Sequence, residues 1–317
     1  MELIQEPKIL AKYSPASRIW QGIPSVEVTP AQNLYVTFYS GGVKEEPGNY
    51  CLLYRFREDE EVTLPSAVAR TSAEGCCFDP QVWLDPLGRL WFTWAEWPSH
   101  GLYGAICENP DAARPVFGAP FRIGTGVMMN KPTVLKSGRW LFPITVWCSK
   151  QLDFWEKDYW NFSAPKMPTG AYAVVSDDGG KTFRHAGSAD LPNRSYDEHI
   201  FLEHTDGTVS MYVRRMNGAT VGEAISADAG EHFTPVPDTD IPCCDARFHI
   251  RRLPSGRVLM VNHKDFTGRN NLAAFLSEDD GRTWKYSLMI DRRQNVSYPD
   301  VGIADMQGGE VEARLRL

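Results

Sequence analysis

The 317-residue chain carries 33 Lys and Arg against 40 Asp and Glu, which gives a formal net charge of −7 at pH 7. This balance argues against nucleic acid or an anionic membrane surface as the main partner, and no apolar run reaches the length of a membrane span. Aromatic residues make up 12% of the chain and include ten Trp, a content that suits sugar-binding clefts and large cores alike.

Cysteine usage and the N-terminus give an expectation for the compartment. The seven Cys include two adjacent pairs, Cys76–Cys77 and Cys243–Cys244, and show no metal-like spacing. They predict reduced, mostly buried thiols, and no metal or cofactor is expected. The start, MELIQEPKIL (1–10), lacks a basic segment followed by an apolar one, so no signal peptide is predicted and a cytoplasmic location is expected.

Short strand-like runs dominate the sequence, and helical periodicity is scarce. The runs are NLYVTFY (33–39), RLWFTWAEW (89–97), RWLFPITVW (139–147), TVSMYVRR (208–215) and RVLMVNH (257–263). The last four follow turns at Gly88, Gly138, Gly207 and Gly256, spaced by 50, 69 and 49 residues. Periods of about 50 residues with several strands each are typical of a β-propeller.

The blade count follows from these turns. Each of the four glycines marks one blade. A further blade is expected before Gly88, and a closing blade is expected to be shared by the two termini. The sequence therefore predicts an all-β fold, a six-bladed β-propeller that forms a single domain over 1–317. The final segment, VGIADMQGGEVEARLRL (301–317), is short for the strands it has to supply, so the last blade is expected to be incomplete.

A second repeat supports this architecture. SDDGGKTF (176–183), SADAGEHF (226–233) and SEDDGRTW (277–284) share the outline Ser-x-Asp-x-Gly-x-x-aromatic, and their first serines are 50 and 51 residues apart. Short polar side chains bond the backbone of a tight turn, and Gly supplies a positive φ there. The pattern is the Asp box, expected between the third and fourth strands of a blade with its aromatic residue packed between blades. Its acids are therefore predicted to be structural.

Three Asp boxes and several further segments resemble the sialidase (neuraminidase) superfamily over roughly 16–301. EHIFLEHTDGTVSMYVRR (198–215) is similar to the family segment that runs from a catalytic Glu to an Arg, and GRNNL (268–272) is similar to its Arg-x-Asn-Leu strand. VSYPD (296–300) resembles the catalytic Tyr loop. Together with WQGIP (20–24), these segments resemble most a bacterial subgroup with Asp-box (BNR) repeats.

The resemblance implies a retaining exo-glycosidase for a terminal sialic acid or related acidic sugar. Tyr298 would be the nucleophile, since sialidases use Tyr rather than a carboxylate, and a phenol avoids repulsion by the substrate carboxylate. A phenol with an ordinary pKa of about 10 needs a base, and Glu198 is the candidate. Arg214 and Arg269 would bind the acidic group in bidentate fashion.

The sequence departs from the family pattern at two places. The family's Arg-Ile-Pro signature is replaced by SRIWQGIPS (17–25), in which Gly22 precedes Ile23, so the first clamp is either Arg18 or is replaced by Trp20 or Gln21. The loop expected to hold the acid Asp reads YSGGVKEEPGNY (39–50) and contains no Asp. Glu45 is the predicted proton donor, and Asp79 is the alternative.

Other residues are expected to line the substrate site. Asn130 and Lys131 in MMNKPTVL (128–135) begin an inner strand and are predicted to contact sugar hydroxyls. Arg247 is predicted to add positive charge for an acidic sugar. The expected partner is therefore a glycan or glycoconjugate.

Two alternatives remain open from the sequence. The displaced first Arg favours a glycosidase for a neutral sugar. The missing acid Asp and the short last blade favour a non-catalytic carbohydrate-binding propeller, with a platform of Trp20, Trp94, Trp97, Trp147, Trp155 and Trp160. The Glu198 and Tyr298 motifs in family order argue for the enzyme.

Overall fold

The computed structural model describes residues 1–57, 61–147, 167–218, 220–306 and 310–316, with side chains described up to residue 302. The chain divides into two compact units. The first contains Met1–Met128 and Val301–Arg316, and the second contains Met129–Leu152 and Met167–Asp300. Both units are built from antiparallel sheets, as short alternating and apolar runs predict.

The first unit begins with short helical segments and two sheets. The helical segments are α1 (Pro7–Leu10) and the 3-10 turns Ala11–Tyr13 and Pro15–Ser17. The first sheet has the order β1-β5-β4-β3-β2, with β1 (Glu2–Ile4), β2 (Gln21–Val28), β3 (Leu34–Ser40), β4 (Tyr50–Phe56) and β5 (Ala67–Arg70). The second is the meander β6 (Cys76–Leu84), β7 (Leu90–Trp97), β8 (Gly101–Cys107) and β9 (Phe121–Thr125), and the two-residue strand β10 (Val127–Met128) follows.

The second unit contains three further meanders. The first is β11 (Thr133–Val134), β12 (Trp140–Val146), β13 (Gly170–Ser176) and β14 (Arg184–Ala189). The next is β15 (Ile200–Glu203), β16 (Val209–Val213), β17 (Gly222–Ser226) and β18 (Thr234–Pro235). The last is β19 (His249–Arg252), β20 (Val258–His263), β21 (Leu272–Ser277) and β22 (Tyr286–Asp291).

The three Asp boxes occupy the turns between the third and fourth strands of these meanders, as predicted. In the first box, the Ser176 hydroxyl donates to Asp178 at 2.9 Å and accepts from the Gly180 amide at 2.9 Å. Asp178 also accepts from the amide and hydroxyl of Thr182. Gly180 has φ 81, which a residue with a Cβ rarely adopts. The acids of these boxes are therefore committed to turn geometry.

The aromatic residues that end the second and third boxes pack between neighbouring sheets. Phe233 stacks on Phe201, 5.7 Å between ring centroids, and packs against the core shared by the β11–β14 and β15–β18 meanders. Trp284 packs against the core shared by the β15–β18 and β19–β22 meanders. The repeat thus couples each turn to the burial of apolar surface between sheets.

The expectation of six blades is not confirmed. Among the described residues, five sheets have at least four strands, and the sixth contains only β23 (Asp300–Met306) and β24 (Glu310–Arg316). The segment 300–316 supplies these two strands, and the incomplete last blade expected from its length stays a prediction. The four glycine turns and the strand run before them predicted five blades correctly. The sixth blade was expected to include the N-terminal segment, but β1 pairs with β5 in the first sheet.

Six cysteines in the described part of the chain are free thiols, and all but Cys244 are buried. Burial raises the pKa of Cys76 well above its ordinary value, so this thiol is unreactive. No helix among the described residues is long and apolar enough to cross a membrane. Nor do these residues contain a cluster of three or more His, Cys, Asp or Glu that is arranged to hold a metal ion.

We expect Asp279→Ala to destabilise the protein at neutral pH and to have less effect in acid. Hydrogen bonds from the side chain and amide of Thr283 lower the pKa of Asp279 from 3.8 to about 2. A folded pKa below the unfolded one stabilises the protein above about pH 4 and loses that contribution as the pH falls to about 2. Thermal unfolding of wild type and variant across this range measures the difference in Tm.

The matched control is Glu278→Ala, which removes the neighbouring, half-exposed acid. It should shift Tm little at any pH. A difference in Tm for Asp279→Ala that stays constant down to pH 2 would contradict the assignment.

Candidate functional site

The centre of the second unit holds a buried arginine shared by two acids and a tyrosine. Arg214 follows β16 and is 2% exposed. Its Nη1 donates to Glu198 Oε1 at 2.6 Å and to the Tyr298 hydroxyl at 3.0 Å. Its Nε and Nη2 donate to Asp245 Oδ1 at 3.0 and 2.7 Å. The structure therefore brings together Glu198, Arg214 and Tyr298, which the sequence assigned to one site.

The backbone that presents Glu198 is unusual. Tyr196, Asp197 and Glu198 have φ values of 54, 56 and 43, and together they form the approach to β15. Each non-glycine residue in the left-handed region costs about 1–3 kcal/mol, and such residues concentrate at functional sites. Glu198 is nevertheless buried, with 3% exposure. The surrounding structure therefore has to hold this segment in place.

Specific donors satisfy all three carbonyl groups of this segment. The Tyr196 carbonyl accepts from Trp147 Nε1 at 3.2 Å, the Asp197 carbonyl from the Arg214 amide at 2.8 Å, and the Glu198 carbonyl from Asn130 Nδ2 at 2.7 Å. The Asp197 carboxylate is buried and accepts from the Thr145 hydroxyl and from Arg194 Nη1. These bonds fix the position of the Glu198 carboxylate against Arg214.

Tyr298 is held by the loop between β22 and β23 in a left-handed conformation, with φ 63. Its carbonyl accepts from Arg247 Nη2 at 2.8 Å. The guanidinium groups of Arg247 and Arg269 lie over its ring at 5.6 and 5.1 Å from the centroid. The ring is therefore clamped by two cations while its hydroxyl faces Arg214.

The electrostatic balance keeps the Tyr298 phenol protonated at neutral pH. Burial raises its pKa far above the ordinary value of 10.0, and the negative charge of Glu198 raises it further. Arg214 and Arg269 act in the opposite direction but do not reverse the shift. Any reaction through the phenolic oxygen thus needs a base to take its proton, and Glu198 is the carboxylate next to it.

Three predicted ligands are engaged by protein groups. Lys131 is 4% exposed, and its ammonium lies 3.4 Å from the Asp300 carboxylate. Arg247 is fully buried, and its Nη1 donates to the Met129 carbonyl at 2.7 Å. Asn130 supports Glu198 through its amide group. These contacts show that the three residues support neighbouring groups of the protein. The sugar contacts predicted for them stay predictions.

Asp300, which lies two residues after Tyr298 in the sequence, is buried between Lys131 and His249. The Nδ1 of His249 lies 3.5 Å from Asp300 Oδ1. Burial lowers the pKa of His249 to about 3, although the Asp300 charge acts against this shift. The imidazole is therefore neutral at physiological pH, and Lys131 is the cation that compensates Asp300.

Two features of this site were missed from the sequence. Asp245 follows β18 by ten residues, lies in CCDARF (243–248), and carries no motif that marks it. Arg269 Nη2 donates to the backbone carbonyl of Asp245 at 2.9 Å. The supporting pair Arg194–Asp197 is the second. Asp245 depends on a contact with Arg214, 31 positions away in the sequence, whereas Arg194 and Asp197 lie only three residues apart.

The first unit contains the predicted acids. The Tyr39 hydroxyl donates to Glu45 Oε1, and the Trp20 ring packs edge-on against Tyr39 at 4.9 Å. Burial raises the pKa of Tyr39 well above its ordinary value, and the charges of Asp79 and Glu45 add to the shift. Asp79 is 4% exposed and has φ 46. The roles of Glu45 and Asp79 as proton donors stay predictions.

Arg18 also lies in the first unit, packed against aromatic side chains. Its Nη1 donates to the Tyr54 hydroxyl at 2.8 Å and to the Tyr13 carbonyl at 3.3 Å. Its guanidinium lies 5.0 Å from the centroid of Phe38. These contacts tie it to the β3–β4 face of the first sheet, and its role as the first arginine of a clamp stays a prediction.

Three of the four described tryptophans of the predicted platform are core residues. Trp94 is fully buried, and Trp97 and Trp147 are 5% and 8% exposed. Trp155 and Trp160 lie outside the described residues. Since buried rings offer no stacking surface to a sugar, the structure does not support a platform built on Trp94, Trp97 and Trp147.

Antiparallel meanders with Asp-box turns define an all-β β-propeller. The chain belongs to the BNR repeat-like domain family, whose model matches residues 111–311. Its fold is similar to that of a Hadza microbial sialidase, at 18% identity and a TM-score of 0.68 over 89% of this chain and 61% of that one. No curated protein sequence gives a significant match.

Two other solved structures have the same fold. A protein of unknown function from Dyadobacter fermentans matches at 16% identity and a TM-score of 0.65, over 94% of this chain and 93% of that one. The Trypanosoma rangeli sialidase matches at 12% identity and a TM-score of 0.61, over 94% of this chain and 52% of that one. The chain thus spans 61% and 52% of the two sialidases. At these identities the likeness shows the fold alone.

We expect Arg214→Met to destabilise the protein by about 3–5 kcal/mol, because it leaves buried Glu198 without its cation. Combining it with Glu198→Gln should recover part of this loss, since the two side chains interact directly. Urea denaturation of the single and double variants measures the coupling. Arg293→Met, which removes an exposed Arg, is the control and should change stability little. Additive effects of the first two substitutions would contradict a direct pair.

Proposed function

We propose that the protein is a retaining exo-glycoside hydrolase that acts through a tyrosyl-glycosyl intermediate. The observation that carries the proposal is the pairing of Glu198 and Tyr298 on one guanidinium nitrogen, Nη1 of Arg214. A non-catalytic sugar-binding protein has no need of a buried, strained Glu beside a partly buried Tyr in a left-handed conformation, because each costs stability.

The first chemical step forms the bond between the Tyr298 oxygen and the anomeric carbon. Glu198 takes the phenolic proton while the glycosidic C–O bond breaks, and a general acid protonates the leaving oxygen. Glu198 Oε1 already accepts from Arg214, and Oε2 accepts no well-formed hydrogen bond from the described residues, so the carboxylate has capacity for this proton. Arg214 holds both reacting groups at fixed distances.

The second step releases the sugar. Water attacks the anomeric carbon, its proton passes to the conjugate base of the general acid, and Glu198 returns a proton to the Tyr298 oxygen. Each displacement inverts the configuration of the anomeric carbon, so the two together retain it. Glu45 is our first choice for the general acid, and Asp79 is the alternative.

Two solved structures of similar fold favour glycoside chemistry by analogy. The Trypanosoma rangeli sialidase has been solved with 2,3-difluorosialic acid as a covalent intermediate. The leech intramolecular trans-sialidase has been solved with 2,7-anhydro-Neu5Ac. These complexes concern proteins 12% identical to this chain, and they favour glycoside chemistry without fixing the sugar.

The test is hydrolysis of a panel of fluorogenic glycosides that includes the N-acetylneuraminic acid glycoside. We expect wild type to release the fluorophore from at least one of them, and Tyr298→Phe to lower kcat on the order of 10²–10⁴-fold, because the nucleophile is lost. Tyr286→Phe, at a half-exposed Tyr of β22, is the matched control and should retain full activity.

A covalent label gives an independent readout. A slow fluorinated glycoside of the hydrolysed sugar should add one glycosyl group to wild type and none to Tyr298→Phe, as measured by mass spectrometry. Hydrolysis that survives in Tyr298→Phe would refute the proposed nucleophile.

A further inference from the structure

We infer that Asp245 determines substrate specificity, excluding a sugar carboxylate from Arg214 and selecting a neutral sugar that donates a hydroxyl hydrogen bond to the free oxygen of Asp245. The inference rests on the proposed glycosidase function and names its substrate class. It replaces the expectation of an acidic sugar, which assumed that Arg214 and Arg269 are open to a carboxylate.

The first step concerns the donors of Arg214. A guanidinium has five N–H groups. Arg214 uses its Nε–H and one Nη2–H on Asp245, and both Nη1–H groups on Glu198 and Tyr298. Four are thus engaged, and one Nη2–H remains. Bidentate recognition of a carboxylate needs two parallel N–H groups, which Arg214 no longer offers.

The second step concerns the direction from which Asp245 reaches Arg214. The Asp245 side chain is 49% exposed, whereas that of Arg214 is 2% exposed. Asp245 is therefore the solvent-accessible partner of this ion pair, and it engages the Nε and Nη2 groups of Arg214. Its Oδ1 holds both bonds to Arg214, and no described residue donates to its Oδ2.

The third step concerns the charges that remain accessible. Arg247 is fully buried, and its Nη1 and Nη2 groups donate to the carbonyls of Met129 and Tyr298. Arg269 is exposed and donates to the backbone carbonyl of Asp245. Of the three arginines Arg214, Arg247 and Arg269, only Arg269 is exposed, and it lies beside the half-exposed Asp245. A sugar hydroxyl satisfies both, because it donates to a carboxylate and accepts from a guanidinium.

The fourth step is the cost to an acidic sugar. Arg214 is already compensated by the carboxylates of Glu198 and Asp245, at 2.6 and 2.7 Å. A third carboxylate at this position would face Asp245, and Arg269, which already donates to the Asp245 backbone carbonyl, would be the cation nearest to it. Like charges brought together at a binding site select against the wrong partner.

The test compares the binding of neutral sugars with that of acidic sugars, in two pairs whose acidic member carries a carboxylate in place of the C6 hydroxymethyl group. The probes are methyl glucoside with methyl glucuronide, methyl galactoside with methyl galacturonide, and N-acetylneuraminic acid, followed by saturation-transfer NMR and titration calorimetry. Wild type should bind a neutral sugar of a pair more tightly than its acid. Asp245→Asn should shift the ratio of acid to neutral affinity toward the acid by about 10- to 100-fold, because the shape is kept and the charge is removed.

The matched control is Asp238→Asn. Asp238 is 75% exposed and pairs with Arg215 at 2.8 Å, so it also belongs to an Asp–Arg pair of this unit. It should leave the ratio unchanged, which separates a local effect at Asp245 from a change in the overall charge. Preference of wild type for an acidic sugar, failure to bind any neutral sugar, or an unchanged ratio in a folded Asp245→Asn would each overturn the inference.

Two measurements separate this inference from the proposed function. Binding needs no catalysis, so a ratio that shifts as expected in a protein without hydrolytic activity would uphold the inference and refute the glycosidase. Hydrolysis of the sialoside in preference to every neutral glycoside would uphold the glycosidase and overturn the inference. The wild-type preference decides the matter if Asp245→Asn does not fold.

Discussion

The buried guanidinium of Arg214 is the interaction on which the candidate site depends. A cation removed from water has to be compensated by hydrogen-bonded anions, or its burial is prohibitively costly. Here Glu198, Asp245 and Tyr298 supply the oxygens, each from a different loop at the start of a sheet. One side chain thus holds three loops at hydrogen-bond distance from a single guanidinium group.

This arrangement requires backbone conformations that most residues avoid. Glu198, Asp245 and Tyr298 all have positive φ, although none is glycine. Strain of this kind persists only where surrounding contacts over-determine the backbone. The carbonyl bonds from Asn130 to Glu198 and from Arg247 to Tyr298 supply those contacts. Asn130 and Arg247 therefore shape the site through backbone groups.

The sequence predicted features that depend on local chemistry. An Asp box is a set of hydrogen bonds within eight residues, so its position and structural part can be read from SDDGGKTF (176–183) alone. The Glu198, Arg214 and Tyr298 motifs likewise identified residues that meet in space. Counting blades failed at the closing sheet, because which strand an N-terminal segment joins depends on long-range pairing.

Asp245 shows why the remaining part of the site was out of reach. Its neighbours CCDARF (243–248) give no reason to prefer it to other loop acids, and its importance comes from Arg214, 31 positions away. Counting arginines from the sequence therefore overstates the capacity to bind an anion. What matters is how many N–H groups remain after internal acids and carbonyls have been satisfied, and this number depends on the tertiary structure.

The same reasoning applies to the phenol of Tyr298, the nucleophile that we propose. In a site for an acidic sugar, a neutral phenol avoids repulsion by the carboxylate of the substrate. In this chain the phenol stands next to Glu198, whose charge raises its pKa, on a guanidinium already shared with Asp245. A carboxylate in place of Tyr298 would put a third acid on one arginine. A protonated phenol is therefore favoured by the charges of the protein itself, whichever sugar is bound.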